Sequence, residues 1–298
     1  MKPDKPSNTA LVVAAGLQLV RRNASQPAAQ LADPLRFNER LMRSAYPRLA
    51  GLLRMVWFRR LCTLFERATL PGICLHFALR KQILRRHAQA AIDAGCTQVI
   101  VLGAGLDTLC MELKAARPDL CCIEIDHPAT QALKRSAIDA HGLVFIAADL
   151  ARQPLGALLK AHPDFRTDAL TLFVAEGLLM YMPPAAVREL FGQMATAAPR
   201  SRVAFTWFEP LADGRPGFRR PSRLIDVWLR WRGEPFLSSM ARSHLARFLA
   251  DAGFVLDHVA ESGELCAGAI ARERPIEGEY IALASRREGA QHETENAE

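Results

Sequence analysis

Residues 99–108 read VIVLGAGLDT, an apolar run followed by a Gly-Ala-Gly turn. The first four residues, three of them β-branched, are typical of a buried parallel strand. The two glycines allow a sharp turn and let a ligand approach the backbone closely. A helix should begin at Asp107 or Thr108, since either side chain can cap the free amides of a first turn. The stretch therefore predicts a strand, a ligand-binding turn and a helix in succession.

A second buried strand is predicted about 20 residues later, at the spacing of a nucleoside-binding half-fold. Residues 121–126 read CCIEID, and the carboxylates of Glu124 and Asp126 could bind ribose hydroxyl groups. By strand alternation the two side chains lie on the same face, so one of them could instead cap the following helix.

The glycine turn favours S-adenosylmethionine over a diphosphate cofactor. A Gly-x-Gly turn alone is shared by nicotinamide, flavin and sulfonium cofactors. Here Thr108 stands where the dinucleotide fingerprint has its third glycine. Asp107 also places a negative charge where a pyrophosphate would bind a helix N-terminus, whereas a cationic methionine group would tolerate or prefer it.

The composition is that of a globular protein with an uneven charge. The 298 residues, 50% of them hydrophobic, can form a large α/β domain with an appendage. Residues 1–90 carry a net charge of +12 and the remainder −5, which gives the total of +7. The basic part could attract an anionic substrate, an acidic carrier protein, RNA or a lipid surface. Solvated arginines on amphipathic helices are the commoner explanation.

Export, a membrane span and a metal site are not expected. Seven cysteines without metal-ligand spacing predict reduced thiols in a cytoplasmic protein. Lys2 and Lys5 precede the apolar residues 10–20, but Gln18 interrupts them and no cleavage site follows, which favours a short helix over a signal peptide. No stretch approaches the ~20 apolar residues that a bilayer requires.

The chain divides into a helical cap and an α/β domain. Residues 1–75 show only helical patterns, including an amphipathic basic helix over residues 52–64, for which membrane attachment is one interpretation and packing on the core the commoner one. Residues 76–287 alternate helices with seven strands, and an irregular insertion at 208–237 is predicted to be a lid. The polar residues 288–298 predict a disordered tail.

Acidic residues follow two further predicted strands. Asp149 and Leu150 come shortly after a strand over residues 143–147, and Glu176 follows a strand over residues 170–175. Ligands of open α/β sheets bind at such carboxyl ends. Asp149 is equally well explained as a turn residue, whereas Glu176 lies between apolar segments and would be buried unless paired.

Five motifs in this order resemble those of class I S-adenosylmethionine-dependent methyltransferases, and specifically the leucine carboxyl methyltransferase family and its bacterial relatives. They read ALRK at 78–81, VLGAGLDT at 101–108, EIDHP at 124–128, ADL at 148–150 and AEGLLMYM at 175–182. The resemblance implies an α/β, Rossmann-like seven-stranded methyltransferase sheet whose last strand is antiparallel. The seven strands predicted from the sequence agree with it.

The resemblance also implies how the amino-acid end of S-adenosylmethionine is bound. Arg80 would pair with its carboxylate, since a guanidinium binds carboxylates in a bidentate manner; an exposed helix arginine is the alternative. Gly103 and Gly105 would let the backbone approach the methionine portion, and Glu176 would lie near the ammonium group.

For the nucleoside end, the resemblance implies that Asp126 holds the ribose and that Asp149 and Leu150 flank the adenine. Glu176 and Tyr181 are the candidate catalytic residues, although Tyr181 could simply pack with its hydroxyl at the surface. His127, before a proline, is more typical of a turn residue than of a catalyst. No metal is required.

Methyl transfer from a sulfonium is an in-line displacement, so alignment and exclusion of water provide most of the catalysis. A carboxylate acceptor is already ionised at pH 7, whereas an aliphatic hydroxyl must lose a proton. No convincing His-acid pair marks a base in the sequence, which together with the basic cap favours a carboxylate. We therefore expect methylation of a carboxylate or hydroxyl oxygen of a small, anionic molecule, free or bound to an acidic carrier protein.

Three alternatives remain open at this stage. The namesake acts on the terminal leucine of a protein, so a protein or tRNA-linked carboxyl methyltransferase is one. A nicotinamide-dependent reductase would share the first two strands, but it would normally show a Tyr-x-x-x-Lys site, which we do not find. The third is a basic RNA- or partner-binding module without enzymatic activity. No DNA partner is expected.

Overall fold

Alternating strands and helices make up most of the chain after residue 97 in this computed structural model, which describes residues 6–23, 32–138, 142–219, 223–260 and 275–287. The strands are β1 Gln98–Leu102, β2 Cys121–Asp126, β3 Leu143–Ala147, β4 Thr171–Ala175, β5 Ser201–Phe208, β6 Phe254–Ala260 and β7 Glu279–Arg286. The helices are α1 Asn8–Asn23, α2 Ala32–Ala45, α3 Pro47–Leu52, α4 Val56–Thr69, α5 Ile73–Asp93, α6 Leu109–Ala116, α7 Pro128–Ala137, α8 Leu155–Lys160, α9 Pro184–Ala197, α10 Arg223–Arg232 and α11 Arg242–Asp251.

The seven strands form one sheet in the order β3-β2-β1-β4-β5-β7-β6. The first five pair in parallel, and β7 pairs antiparallel with both β5 and β6. The predicted seven-stranded sheet with an antiparallel last strand is therefore confirmed. Because the chain runs outward from β1 to β3 and then returns to β4, the strand order reverses beside β1, where open α/β sheets bind their ligands.

Both faces of the central strands β1 and β4 are buried, as expected for parallel strands with helices on either side. On β1, Ile100 belongs to a core cluster that includes Phe191 of α9. Its neighbour Val101 points to the other face and belongs to a cluster with Ile83 of α5 and Leu109 of α6. The alternation of side chains along one buried strand thus connects the two layers of helices.

The described residues before β1 form helices and their connections, as the sequence predicts. The amphipathic helix predicted over residues 52–64 is wrong in its bounds, because the chain breaks between α3 and α4. Leu53 is buried at the break, and the side chain of Arg59 donates to the carbonyl oxygens of Leu53 and Arg54. These contacts satisfy carbonyl groups that the end of α3 leaves without helical partners.

The predicted insertion at 208–237 contains α10, and its role as a lid stays a prediction. Within the described part of the chain, no helix combines the length and apolar character needed to cross a membrane. The predicted tail, residues 288–298, lies outside the described residues.

The helix after the glycine turn is capped by Asp107, one of the two candidates. Asp107 Oδ1 accepts hydrogen bonds from the backbone amides of Thr108 (2.6 Å) and Leu109 (3.3 Å). The Thr108 hydroxyl instead donates to Glu112 Oε1 at 2.6 Å, and Arg85 Nη1 donates to the other oxygen at 2.9 Å. Burial raises the pKa of Glu112 to about 7, because the hydrogen bond from Thr108 offsets only part of the cost of burying the charge.

We expect Glu112→Gln to flatten the pH dependence of stability. The folded protein holds the pKa of Glu112 above its ordinary value of 4.5, so this group favours folding at low pH, and that contribution is lost as pH rises through about 7. The free energy of unfolding of the wild type should therefore fall by about 3 kcal/mol relative to the variant between pH 5 and pH 8. Urea unfolding across this range measures the difference. Glu189→Gln, on the exposed surface of α9, is the control, and identical slopes for wild type and Glu112→Gln would contradict the assignment.

Candidate active site

Several predicted site residues lie at the carboxyl ends of the parallel strands. Strands β3, β2, β1 and β4 are parallel neighbours, so their carboxyl ends are adjacent. Asp126 ends β2, Gly103 follows β1, Glu176 follows β4, and Asp149 lies two residues beyond β3. The structure thus brings together residues that are far apart in the sequence.

Both predicted glycines of the turn have left-handed backbone conformations, with φ of +64° at Gly103 and +52° at Gly105. A Cβ atom added to Gly103 would lie 2.9 Å from Leu178 Cδ1, and one added to Gly105 would lie 3.1 Å from Ala10 Cβ in α1. The Gly105 amide donates to Asp126 Oδ2 at 2.9 Å. The turn therefore requires glycine for both its conformation and its close contacts.

Arg80 of α5 is 5% exposed and makes two ion pairs. Its Nε donates to Glu176 Oε1 at 2.9 Å, and its Nη1 donates to both carboxylate oxygens of Glu279, at 2.9 and 2.8 Å. Nη2 forms no hydrogen bond within the part of the chain that the structure describes. The alternative of an exposed helix arginine is thereby excluded, and one guanidinium nitrogen remains for a ligand carboxylate.

Lys81 extends this cluster towards the glycine turn. Its Nζ donates to Glu176 Oε2 at 3.0 Å and to Asp107 Oδ1 at 2.8 Å. Glu176 thus uses one oxygen for Arg80 and the other for Lys81, which confirms that this buried acid is paired. The predicted contact of Glu176 with a cofactor ammonium group stays a prediction.

Asp107 has a buried oxygen, Oδ2, that forms no hydrogen bond within the described residues. Burial alone would raise the pKa of Asp107, but the ammonium groups of Lys81 and Lys134 outweigh it, so the pKa lies below its usual value and the group is ionised. A buried carboxylate oxygen without a donor is costly unless a ligand supplies one. Asp107 is therefore a second candidate for the ammonium group, beside Glu176.

Glu279 is a site residue that the sequence analysis missed, and it contacts His76. Glu279 is the first residue of β7, and its Oε2 lies 2.7 Å from His76 Nε2. Burial opposes ionisation of Glu279, but the Arg80 guanidinium outweighs it and lowers the pKa of Glu279 to about 2. The sequence analysis found no convincing His-acid pair that marks a base, and this pair is instead part of the buried ion-pair network. Because His76 is fully buried, the pair supports Arg80 and does not reach an acceptor.

The two carboxylates of β2 have different roles. Glu124 is buried and pairs with Lys134 Nζ at 2.6 Å, inside the fold. Asp126 lies at the sheet edge, where burial raises its pKa and hydrogen bonds from the amides of His127 and Gly105 lower it. Of the two, only Asp126 is placed to contact a ribose.

Asp149, Leu150 and His127 have structural partners. Asp149 Oδ1 accepts a hydrogen bond from the Ala151 amide at 3.0 Å, as a turn residue does. Leu150 is half-buried against the core. His127 Nδ1 accepts from the Ala129 amide at 3.3 Å and so caps α7. The implied adenine contacts of Asp149 and Leu150 stay predictions, and His127 is the turn residue that the sequence favours.

Tyr181 lies where the helical cap meets the insertion. Burial raises the pKa of its hydroxyl above the ordinary value, and the hydroxyl shares a hydrogen bond with the Thr9 side chain. Thr9 is held in turn by Glu234 of the insertion, whose carboxylate accepts from the amides of Asn8 (3.2 Å) and Thr9 (3.1 Å) and from the Thr9 hydroxyl. A tyrosine with a raised pKa remains protonated at neutral pH, so Tyr181 is suited to donate a hydrogen bond, not to act as a base.

Comparison with known proteins identifies the family. The family model described as leucine carboxyl methyltransferase matches residues 10–195, which include the helical cap and the sheet edge described above. The chain belongs to the leucine carboxyl methyltransferase family.

Two mycobacterial relatives carry names, assigned by inference, that describe them as S-adenosyl-L-methionine-dependent methyltransferases. One, from Mycobacterium marinum, is 34% identical over 142 residues, or 45% of each chain. Another, from Mycobacterium tuberculosis H37Ra, is 32% identical over 204 residues, or 64% of this chain and 63% of the relative. The matched part of the chain thus spans between about half and just under two thirds of these relatives.

A solved structure supports the fold. Its title describes it, by inference, as a methyltransferase from Thermobifida fusca. It superposes on this chain with a TM-score of 0.57 at 16% sequence identity. The superposition covers 84% of this chain and 94% of that one. At this identity the likeness concerns the methyltransferase fold alone.

The charges of the ion-pair cluster around Arg80 and Lys81 fit S-adenosylmethionine. The cations Arg80 and Lys81 face three carboxylates, those of Asp107, Glu176 and Glu279, so the five groups carry one excess negative charge. S-adenosylmethionine has a sulfonium, an ammonium and a carboxylate, and hence one excess positive charge. The unpartnered Asp107 oxygen and Arg80 Nη2 would hold the last two groups.

We expect Gly103→Ala to weaken binding of S-adenosylmethionine about tenfold or more. The new methyl group meets Leu178 Cδ1 at 2.9 Å and holds an unfavourable positive φ, at a cost of about 1–2 kcal/mol in folding stability. Isothermal titration calorimetry measures the affinity. Gly192→Ala is the matched control, because a Cβ atom there meets nothing within 4 Å. An unchanged dissociation constant for Gly103→Ala would show that the cofactor binds elsewhere.

Glu279→Gln tests the newly found support of Arg80. Removing the carboxylate leaves the buried Arg80 guanidinium with one ion pair instead of two. The free energy of unfolding should therefore fall by about 3 kcal/mol, and the Kd for S-adenosylmethionine should rise about tenfold. Denaturant unfolding and calorimetry measure the two effects. Glu277→Gln, two residues earlier and exposed, should alter neither. Wild-type affinity in a folded Glu279→Gln protein would show that Arg80 does not depend on this contact.

Proposed function

We propose that this member of the leucine carboxyl methyltransferase family transfers the methyl group of S-adenosylmethionine to an oxygen atom of a small molecule. The observation that carries the proposal is the buried, ionised Asp107 oxygen without a hydrogen-bond donor within the described residues, beside Lys81 and the glycine turn. Such a site suits the amino-acid end of a positively charged nucleoside cofactor. When bound, S-adenosylmethionine supplies a methyl group on a sulfonium, which is a good leaving group.

We favour a carboxylate as the acceptor over a hydroxyl. Glu176 shares its oxygens between Arg80 and Lys81, Tyr181 has a raised pKa, and His76 is fully buried. These groups are poorly placed to remove a proton, and a carboxylate does not need a base. In the reaction an acceptor oxygen forms a bond to the methyl carbon, the carbon–sulfur bond breaks, and its electron pair stays on sulfur. No proton moves, so the chain's contribution is to bind, orient and exclude water.

We also propose that the acceptor is anionic, either free or attached to an acidic carrier protein. The net charge of +12 in residues 1–90 supports this, since it would draw anions towards the helical cap. Tyr181 is the residue we propose to donate a hydrogen bond to the acceptor. A cytoplasmic setting is proposed because the cysteines that the structure describes are free thiols.

The test is transfer of label from methyl-labelled S-adenosylmethionine to the low-molecular-weight fraction of a cell extract. We expect a product that releases labelled methanol in mild base, as a methyl ester does. Arg80→Met should abolish transfer, and the exposed Glu189→Gln should leave it unchanged. Base-stable label in a small molecule would favour a hydroxyl acceptor. Label found only in tRNA, or only on a polypeptide that carries no attached small molecule, would contradict the proposal, as would no transfer by a protein that binds the cofactor.

A further inference from the structure

Helix α4 lies on the outside of the molecule with none of its residues buried. The exposed fractions of the large apolar side chains on it and just before it range from 36% to 66%. We call these seven side chains the apolar face: Leu52, Met55, Val56, Trp57, Leu61, Leu64 and Phe65. The sequence analysis favoured packing of this segment on the core, and the structure shows that only part of it, including Phe58 and Cys62, packs there.

The apolar face is a continuous stripe that the described fold does not use. Trp57, Leu61, Leu64 and Phe65 follow the spacing i, i+4, i+7, i+8, which places them on one side of a helix. Phe58 and Cys62, which border this stripe on one side, are partly buried against the core cluster of the helical cap. The helix is thus attached through one side, while seven large apolar side chains face away from the rest of the described chain. Exposed patches of this kind usually mark an interaction surface.

The charges beside the apolar face are almost all positive. Residues 47–70 contain five arginines and one acidic residue, Glu66. Glu66 Oε1 accepts a hydrogen bond from the Cys74 amide at 3.0 Å, at the start of α5, so its carboxylate is engaged in the fold. Arg54, Arg60 and Arg67 are exposed. A partner of this surface should therefore combine negative charge with an apolar layer.

We propose that the apolar face of α4 binds an anionic lipid surface. A helix with Trp, Leu and Phe on one side and arginines beside them lies in the plane of the headgroups, with its apolar side chains in the acyl boundary. The arginines add attraction to anionic lipids, and Trp57 suits the boundary between headgroups and acyl chains.

Two other occupants fit this surface less well. A second copy of the chain would bring two five-arginine segments together around a two-fold axis, which like-charge repulsion disfavours. An acidic protein would have to provide a pocket or groove for the exposed apolar side chains along the whole length of α4. A bilayer surface accepts such a helix along its whole length. The proposal does not depend on the methyltransferase activity.

The experiment is co-sedimentation of the full chain with sucrose-loaded vesicles. One set contains only phosphatidylcholine, and the other contains one third phosphatidylglycerol. We expect binding to the anionic vesicles at least tenfold stronger than to the neutral ones, and weaker at high salt. Trp57→Glu/Leu64→Glu and Arg60→Gln/Arg67→Gln should each reduce binding to anionic vesicles tenfold or more. Both pairs are exposed, so unchanged thermal unfolding serves to verify the fold.

Trp231→Glu is the matched control, because Trp231 is a 68% exposed tryptophan beside arginines on a different helix, α10. It should bind vesicles like the wild type. The proposal is overturned if the wild type does not bind vesicles, if neutral and anionic vesicles bind equally, or if Trp231→Glu loses binding as strongly as the α4 variants. Binding that survives Trp57→Glu/Leu64→Glu would show a purely electrostatic contact. A dimer in light scattering that this variant dissociates, without vesicle binding, would assign the face to a second copy.

Discussion

The buried guanidinium of Arg80 connects the parts of the protein that form the candidate site. Through Glu279 it links α5 to β7, and through Glu176 it links α5 to the end of β4. Lys81, the next residue of the helix, continues the chain of ion pairs to Asp107 after β1. A charge removed from water is stable only when its partners are held in place. The position of α5 is therefore fixed relative to three strands, and with it the geometry of the site.

This network of ion pairs leaves one buried carboxylate oxygen without a hydrogen-bond donor among the described residues. Three carboxylates face two cations, and the buried oxygen of Asp107 has no donor within the described residues. The cost of this arrangement is reduced only when a ligand brings positive charge or an N–H group. A fold optimised only for stability would pair or remove this oxygen. Its presence next to two glycines with positive φ is the strongest physical reason to regard the carboxyl ends of these strands as a binding site.

The N-terminal helix and the insertion belong to the same site, although neither contains a motif that predicts it. Glu234 fixes the start of α1, where exposed amides and the helix dipole favour a carboxylate. Ala10 of that helix lies close to Gly105, and Thr9 reaches the Tyr181 hydroxyl. The cap and the insertion thus meet beside the Tyr181 hydroxyl. Tyr181 is partly buried at this contact, and burial raises the pKa of its hydroxyl although the hydrogen bond with Thr9 lowers it.

The sequence alone predicted the seven strands, the glycine turn and the acids at the strand ends, because these depend on local composition and on a side-chain period of two. β2 and β3 have the predicted bounds, and Glu176 is paired as its apolar neighbours require. The tertiary structure decided what these residues contact. Glu279 and His76 lie about 200 residues apart in sequence and meet only when β7 inserts beside β5. The break between α3 and α4 and the exposure of the apolar face also depend on how the cap packs, since an amphipathic pattern does not specify whether its apolar side is covered.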